Sequence, residues 1–213
     1  MYTENWPQFF TATIQGWKYL LQDDRYKIVI INCLHYLVKN DRVKINAFVI
    51  MSNHIHLIWQ ATAGNNLTDV QTSFKKFTSK QFLQLLLKDK KLENRLVGDH
   101  ASAKQEKLAS RHIGDHASAM KDDKLAGRLV EDHASGELNA YQVNAADRKH
   151  HFWKRNSLGI ELFTAAVFVQ KLNYIHNNPV RAGICSYASA YRYSSALFYE
   201  QHIDEFGTLE HYL

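Results

Sequence analysis

The chain has 213 residues, of which 46% are hydrophobic, enough to build one substantial core but not two. Lys and Arg outnumber Asp and Glu by 26 to 21, and a basic chain is typical of proteins that bind polyanions. Neither a signal peptide nor a membrane-spanning run is recognisable. Cys33 and Cys185 lie far apart without paired spacing, so we expect two buried thiols in a reducing cytoplasm and no disulfide.

Strand and helix patterns alternate in the first part of the chain. Residues 9–14 read as a strand, and residues 23–38 carry apolar side chains at helical spacing after an acidic start. Residues 43–50 and 55–61 are rich in β-branched and aromatic types, and they flank the polar pair Ser52-Asn53. This pattern predicts two adjacent strands joined by a tight connection.

An amphipathic helix is predicted next, over residues 67–87, and a low-complexity tract follows between Asp89 and Gly136. In this tract the motif that begins Arg95-Leu-Val-Gly-Asp-His-Ala-Ser returns in modified form from Arg111 and from Arg128. The tract has nine basic, nine acidic and no aromatic residues, so it buries little apolar surface and adds no net charge. We expect a loose helical hairpin or disorder, inserted at residues 89–136 into a single domain of residues 1–213.

After the tract, Phe152 and Trp153 are predicted to form a short strand, and residues 160–177 a helix that Pro179 ends. The order strand, helix, strand, strand, helix indicates an α+β fold. We predict a ferredoxin-like or RRM-like antiparallel sheet with helices packed on one face.

Two histidines in the predicted third strand are candidates for a metal site. The segment Ile50-Met-Ser-Asn-His54-Ile-His56-Leu places them two residues apart, and side chains at that spacing point to the same face of a strand. Imidazole pairs of this kind suit a divalent metal that still needs further ligands. The alternative is that both histidines only line a polar face of the sheet.

A second motif, Lys171-Leu-Asn-Tyr174-Ile-His-Asn-Asn178-Pro179, places a tyrosine near the end of the last predicted helix. An amide residue one turn later can share the helix face with the phenol. A phenolate is a competent nucleophile toward phosphorus when a cation assists it. The alternative is a boundary tyrosine that packs its ring and exposes its hydroxyl.

These motifs together, with Tyr191-Arg-Tyr-Ser-Ser195 downstream, closely resemble the REP-associated tyrosine transposases of the single-tyrosine HUH transposase superfamily. The resemblance covers the chain from the first strand to about Tyr199, without the repeat tract. It implies a nuclease and strand transferase that cuts single-stranded DNA near hairpins or palindromic repeats. Tyr174 would then be the nucleophile, forming a 5′-phosphotyrosine and a free 3′-hydroxyl.

The resemblance also implies a metal site. His54 and His56 would bind Mg²⁺ or Mn²⁺, and the amide residue one turn after the tyrosine, Asn178, would be the third protein ligand. Because the residue before a proline is biased away from the helical region, Asn178 is expected just beyond the last regular turn, with Asn177 and His176 as fallback ligands.

Several basic side chains are candidates for phosphate contacts, although a solvated surface explains any single one equally well: Lys75, Lys76, Lys80, Lys154, Arg155, Arg181 and Arg192. Three aromatic residues could stack on unpaired bases or be buried instead: Trp153, Tyr191 and Tyr193.

Other functions remain open on the sequence alone. A binding-only regulator at repetitive palindromes would keep the fold without catalysis, and a replication initiator or relaxase would share the chemistry in other surroundings. The partner in each case is DNA and no membrane is involved; the protein is expected in the cytoplasm at the nucleoid, as a monomer or a homodimer.

Overall fold

A computed structural model describes residues 6–109, 138–145 and 148–212 of the chain. The chain divides into two compact units, one formed by residues 1–80 and 152–213 and the other by residues 81–151. The strands, in chain order, are β1 Gln8–Thr13, β2 Val43–Ile50, β3 His54–Ala61, β4 Gln142–Ala145, β5 Arg148–His150 and β6 Leu158–Glu161. The helices are α1 Asp24–Lys39, α2 Leu67–Ala109, α3 Ala165–Arg181 and α4 Ala196–Gln201.

The first unit is built on a four-stranded antiparallel sheet with the strand order β2-β3-β1-β6. Helix α1 connects β1 to β2, and α2 begins after β3, so the chain follows the βαββαβ order of ferredoxin-like folds. The predicted α+β fold class is therefore confirmed.

The two faces of this sheet carry different layers. On one face Phe10 packs on Trp59, and Trp59 contacts Phe74 of α2. On the opposite face Phe9 and Ile58 belong to a core that includes residues of α3. The strand alternation thus gives each face its own apolar set, and α3 adds a layer on the second face that the sequence pattern did not predict.

Most element boundaries in the first part of the chain agree with prediction within one residue. Asp23 caps α1 by accepting a hydrogen bond from the backbone N–H of Arg25 at 2.8 Å. The connection between β2 and β3 is three residues long and contains the predicted polar pair Ser52-Asn53.

The last long helix differs from prediction at both ends. Residues 158–161 pair with β1 as strand β6, and α3 begins only after Thr164, whose hydroxyl accepts from the N–H of Val167 at 3.3 Å. Pro179 does not end the helix, although it has no N–H to donate to the carbonyl of Ile175. The helix ends two residues later at a turn in which Gly183 has φ +70° and the Ile184 N–H donates to the Pro179 carbonyl.

Helix α2 extends well beyond the predicted residue 87 and contains the first repeat, which begins at Arg95. The start of the inserted tract is therefore helical; residues 110–137, with the other two repeats, lie outside the described residues. In the second unit, β4 and β5 pair as a two-stranded sheet.

Two smaller expectations concern Trp153 and the two cysteines. Trp153 forms an isolated bridge with Ile14 rather than a strand with Phe152. Cys33 is buried as predicted, Cys185 is only half-buried, and both thiols are free. Within the described part of the chain, no helix has the length and apolar character needed to cross a membrane.

Candidate active site

His54 and His56 lie on one face of β3, beside β1. The strand register places Thr13 opposite His54 and Thr11 opposite His56. The two imidazole ring centroids are 4.8 Å apart, whereas Ile55 between them is fully buried on the other face. The two histidine rings therefore adjoin each other on one sheet face, as the alternation of the strand requires.

Each imidazole is fixed through its Nδ1 atom. His56 Nδ1 lies 2.8 Å from the Thr11 hydroxyl, and His54 Nδ1 lies 2.7 Å from the side-chain oxygen of Asn53. The Nε2 atom of His56 is buried and has no hydrogen-bond partner among the described residues. A buried polar atom without a partner is costly, so this nitrogen is suited to accept a ligand.

Burial keeps both imidazoles uncharged. It lowers the pKa of His56 to about 3, with smaller contributions from the positive charges of His54 and Lys171, and it also lowers the pKa of His54. Near neutral pH each ring therefore keeps an unprotonated nitrogen, which is the state in which histidine binds a metal.

Helix α3 presents three polar side chains to the same histidines. Lys171, Tyr174 and Asn178 are spaced three and four residues apart, so they share one helix face. Phe168 and Ile175 are buried in the core beneath this helix and fix its position on the sheet.

Tyr174 lies directly against the histidine pair. Its ring centroid is 5.2 Å from that of His56 and 6.0 Å from that of Phe9, both in edge-on geometry. The residue is 41% exposed, so the phenol is held by packing on one side and open to solvent on the other.

These residues line one cavity of about 560 Å³. Its lining consists of Phe9, Thr11, Thr13, Trp17, His54, His56, Leu158, Lys171, Tyr174 and Asn178. The four residues to which the sequence analysis gave catalytic or metal-binding roles thus come together within a single chain. Phe9, Thr11, Thr13, Trp17, Leu158 and Lys171 were not predicted there. The sequence could have indicated Lys171, because it lies one helical turn before Tyr174. The other unpredicted residues reach the cavity through strand pairing, which spacing along the chain does not reveal.

Asn178 is the amide residue of this segment that lines the cavity. It lies inside α3 and lines the cavity, contrary to the expectation that it would fall beyond the last turn. Neither fallback residue lines the cavity: Asn177 donates to the Asn173 carbonyl, and buried His176 bonds Ser195.

The basic residues predicted to contact phosphates lie in different environments. Lys154 does not line the cavity itself but lies over the ring of the lining residue Trp17, with its Nζ 4.1 Å from the ring centroid. Lys75 is half-buried and donates to Ser157, and burial lowers its pKa. Arg192 forms an ion pair with Glu205 at 2.6 Å and does not line the cavity. The remaining four are exposed: Lys76, Lys80, Arg155 and Arg181.

The aromatic residues considered for base stacking are mostly used by the fold. Trp153 and Tyr193 are buried, and Trp153 donates its indole N–H to Thr78 at 2.9 Å. Tyr191 is half-buried and donates its hydroxyl to the Ile50 carbonyl. Burial, the alternative considered for them, thus accounts for Trp153 and Tyr193.

The donor set fits a divalent metal only if an amide completes it. Among the described residues, no group of three His, Cys, Asp or Glu side chains could hold an ion. His54 and His56 bring imidazole nitrogens, including the unpartnered Nε2 of His56, and Asn178 brings an amide oxygen to the same cavity. Two nitrogens and one oxygen suit a transition-type divalent ion with open positions.

A family model of known proteins matches part of the chain. Residues 14–103 match the family model of IS200-like transposases, a range that contains His54 and His56 and ends before α3. No curated protein matches the chain.

Two solved structures are similar to the chain. A REP-associated tyrosine transposase bound to a REP hairpin superposes with a TM-score of 0.53 and 13% identity, over 100% of this chain and 96% of that one. A putative transposase from Deinococcus radiodurans gives a TM-score of 0.41 and 11% identity, over 83% of this chain and 92% of that one. The family match over residues 14–103 agrees with the transposase resemblance of the sequence, and the first of these structures shares the fold of the chain.

Proposed function

We propose that the chain is a metal-dependent single-strand DNA endonuclease and strand transferase that forms a 5′-phosphotyrosine intermediate. The observation that carries this proposal is the cavity in which Tyr174 lies against the paired histidines His54 and His56. A binding-only protein has no need for an open phenol beside a buried imidazole that lacks a partner.

Tyr174 is the proposed nucleophile. Its phenol oxygen forms a bond to phosphorus while the bond from phosphorus to the 3′-oxygen breaks, and the 3′-oxygen leaves as a hydroxyl. Packing of the ring on Phe9 and His56 restricts the directions that the phenol can take, which favours in-line attack. Because the phosphodiester energy is kept in the tyrosyl bond, a later 3′-hydroxyl can reverse the step and join new strands.

His54, His56 and Asn178 are the proposed ligands of a divalent cation, Mg²⁺ or Mn²⁺. When bound, such an ion polarises a phosphate oxygen and offsets the charge that develops at phosphorus. Thr11 and Asn53 hold the two imidazoles through Nδ1, so that each Nε2 is left for the ion.

Lys171 is a further proposed site residue. It lines the cavity one turn before Tyr174, and its Nζ lies 5.0 Å from the centroid of the Phe9 ring. A lysine in this place supplies a fixed positive charge near the phosphate that Tyr174 attacks. Lys154, whose Nζ lies 4.1 Å from the ring centroid of the cavity residue Trp17, is a second cation available to a polyanionic strand.

DNA with hairpins or palindromic repeats is the proposed substrate, because the transposase of matching fold is bound to a REP hairpin. Tyr174 lies against His56 of its own chain, so the proposed nucleophile and the proposed metal ligands meet without an exchange of helices between copies. This supports activity as a monomer.

The polarity of the covalent adduct tests this proposal. Hairpin oligonucleotides with single-stranded flanks are labelled at the 3′ end or at the 5′ end and incubated with protein, with Mn²⁺ or with chelator. The 3′ label should remain on the protein in a denaturing gel and the 5′ label should leave on a shorter strand, only when metal is present. His56→Ala should abolish both products. A 5′ label on the protein would refute the proposed polarity, and adducts that form equally in chelator would refute the metal.

A further inference from the structure

A strained turn carries an exposed tryptophan at the rim of the cavity. The turn Gln15–Trp17 follows β1, and both Gly16 and Trp17 have positive φ, +69° and +59°. Glycine adopts this region freely, but a bulky L-residue such as tryptophan does so rarely and at a cost. Backbone strain of this kind persists only where surrounding bonds impose it, and it is concentrated at functional sites.

Several hydrogen bonds impose this conformation. The Trp17 N–H donates to the Ile14 carbonyl at 3.0 Å, and the Gln15 N–H donates to the Phe152 carbonyl at 2.7 Å. Asn53 Nδ2 donates to the Trp17 carbonyl at 3.4 Å. Because the oxygen of the same Asn53 amide bonds His54, the turn and the histidine are held by one side chain.

Packing does not explain where the indole of Trp17 lies. The residue is 56% exposed, whereas Trp59 and Trp153 are buried in the same unit. Its ring lines the cavity edge-on to His54, with 6.4 Å between the ring centroids, and Lys154 Nζ lies 4.1 Å from the ring centroid. The backbone N–H of Lys154 donates to the Thr13 carbonyl of β1, so the cation is held in register with the sheet.

We infer that Trp17 and Lys154 form a nucleotide subsite that binds an unpaired base next to the phosphate attacked by Tyr174. The base stacks on the indole of Trp17, and the ammonium of Lys154 contacts the phosphate of the same nucleotide. A flat aromatic face beside a fixed cation is the combination that recognises single-stranded nucleic acid without reading sequence. The inference rests on the proposed function for the position of the cleaved phosphate, but it concerns binding and not chemistry.

Binding to a strand with and without bases tests the subsite. The probes are a 20-nucleotide oligothymidylate and an abasic strand of the same length, both end-labelled and measured by fluorescence anisotropy in chelator. The full chain should bind the thymidylate more tightly than the abasic strand. Trp17→Ala should weaken thymidylate binding about tenfold and leave abasic binding unchanged, since stacking on one aromatic ring contributes about 1–3 kcal/mol per base. Trp17→Phe should recover most of the loss, since it keeps an aromatic face.

Controls separate this inference from misfolding and from the proposed function. Trp6→Ala removes another exposed tryptophan, one that does not line the cavity, and it should leave both affinities unchanged. An unchanged melting temperature of Trp17→Ala shows that its fold is intact. Equal affinity of the wild-type chain for both strands, or equal losses for Trp17→Ala on both, would overturn the subsite. Failure to form a covalent adduct would instead count against the role of Tyr174, because these titrations involve no cleavage.

Discussion

At the scale of single residues, the site depends on which nitrogen of each imidazole is left free. The sequence predicts that His54 and His56 share a face, because alternation along a strand is a local property. It does not predict their partners: Thr11 meets His56 only through the pairing of β1 with β3, 45 residues apart in the chain. Long-range register of this kind is set by the whole sheet.

Thr11→Val should weaken metal binding without unfolding the chain. The substitution removes the hydroxyl that fixes His56 Nδ1, and loss of such a partner typically lowers metal affinity about 10- to 100-fold. Calorimetric titration with Mn²⁺ gives the affinity. Thr13→Val is the matched control, since Thr13 lines the same cavity opposite His54 and its hydroxyl has no bond to either ring. Equal losses in the two variants would show that His56 is not positioned through Thr11.

At the scale of elements, α3, the helix that carries Tyr174, shows what a sequence pattern can and cannot predict. The apolar spacing of α3 is correct over most of its length, but Ile160 and Glu161 were assigned to the helix although they belong to the edge strand β6. A short apolar run is compatible with both states, and only pairing with β1 decides between them. The C-terminal end was also predicted wrongly. Pro179 was expected to end the helix, but a proline near a helix end need not break it.

Ser195, the last residue of the motif Tyr191-Arg-Tyr-Ser-Ser195 after α3, has a structural role that the sequence did not reveal. Ser195 Oγ lies 2.9 Å from Nε2 of His176, accepts from the Phe48 N–H at 3.0 Å and donates to the Phe48 carbonyl at 3.2 Å. This buried hydroxyl therefore links α3 to β2. Its partner in α3, His176, lies two residues after the proposed nucleophile Tyr174.

Ser195→Ala should consequently destabilise the chain by about 1–3 kcal/mol, because it leaves His176 and the Phe48 N–H buried without a partner. Urea denaturation followed by circular dichroism measures the loss. Ser189→Ala, at a half-buried position in the preceding 3₁₀ turn, should change stability by less than about 0.5 kcal/mol. A Ser195→Ala variant as stable as the wild type would mean that the helix is anchored by apolar packing alone.

At the scale of the whole molecule, the fold class and the four proposed catalytic and metal-binding residues of the cavity could be predicted from the sequence. The charge pattern was less informative: Lys154 contacts the cavity residue Trp17, whereas Arg192 forms an ion pair with Glu205 and does not line the cavity. Whether a charged side chain faces a site or a neighbouring carboxylate depends on tertiary contacts that spacing does not encode. The length of α2 was also missed, because its polar continuation after Asp89 lacks an apolar face.

Removal of residues 89–136 should leave the fold of the rest intact. All the buried positions described in α2 precede Asp89: Val70, Phe74, Thr78, Phe82 and Leu86. A variant in which a short flexible linker replaces the segment should melt within about 5 °C of the full chain, since little core is lost. Calorimetry provides the measurement, and a variant that fails to fold cooperatively would show that the repeat tract is structural.

The proposed formation of a 5′-phosphotyrosine depends on Tyr174 as the attacking group. Tyr174→Phe removes one oxygen and keeps the ring that packs on His56 and Phe9, so folding and DNA affinity should persist. Tyr36→Phe, at an exposed position on α1 outside the cavity, is the matched control. The decisive measurement is the amount of protein–DNA adduct formed on a 3′-labelled hairpin strand with Mn²⁺. We predict wild-type adduct levels for Tyr36→Phe and none for Tyr174→Phe; adduct formation by Tyr174→Phe at the wild-type level would contradict the account.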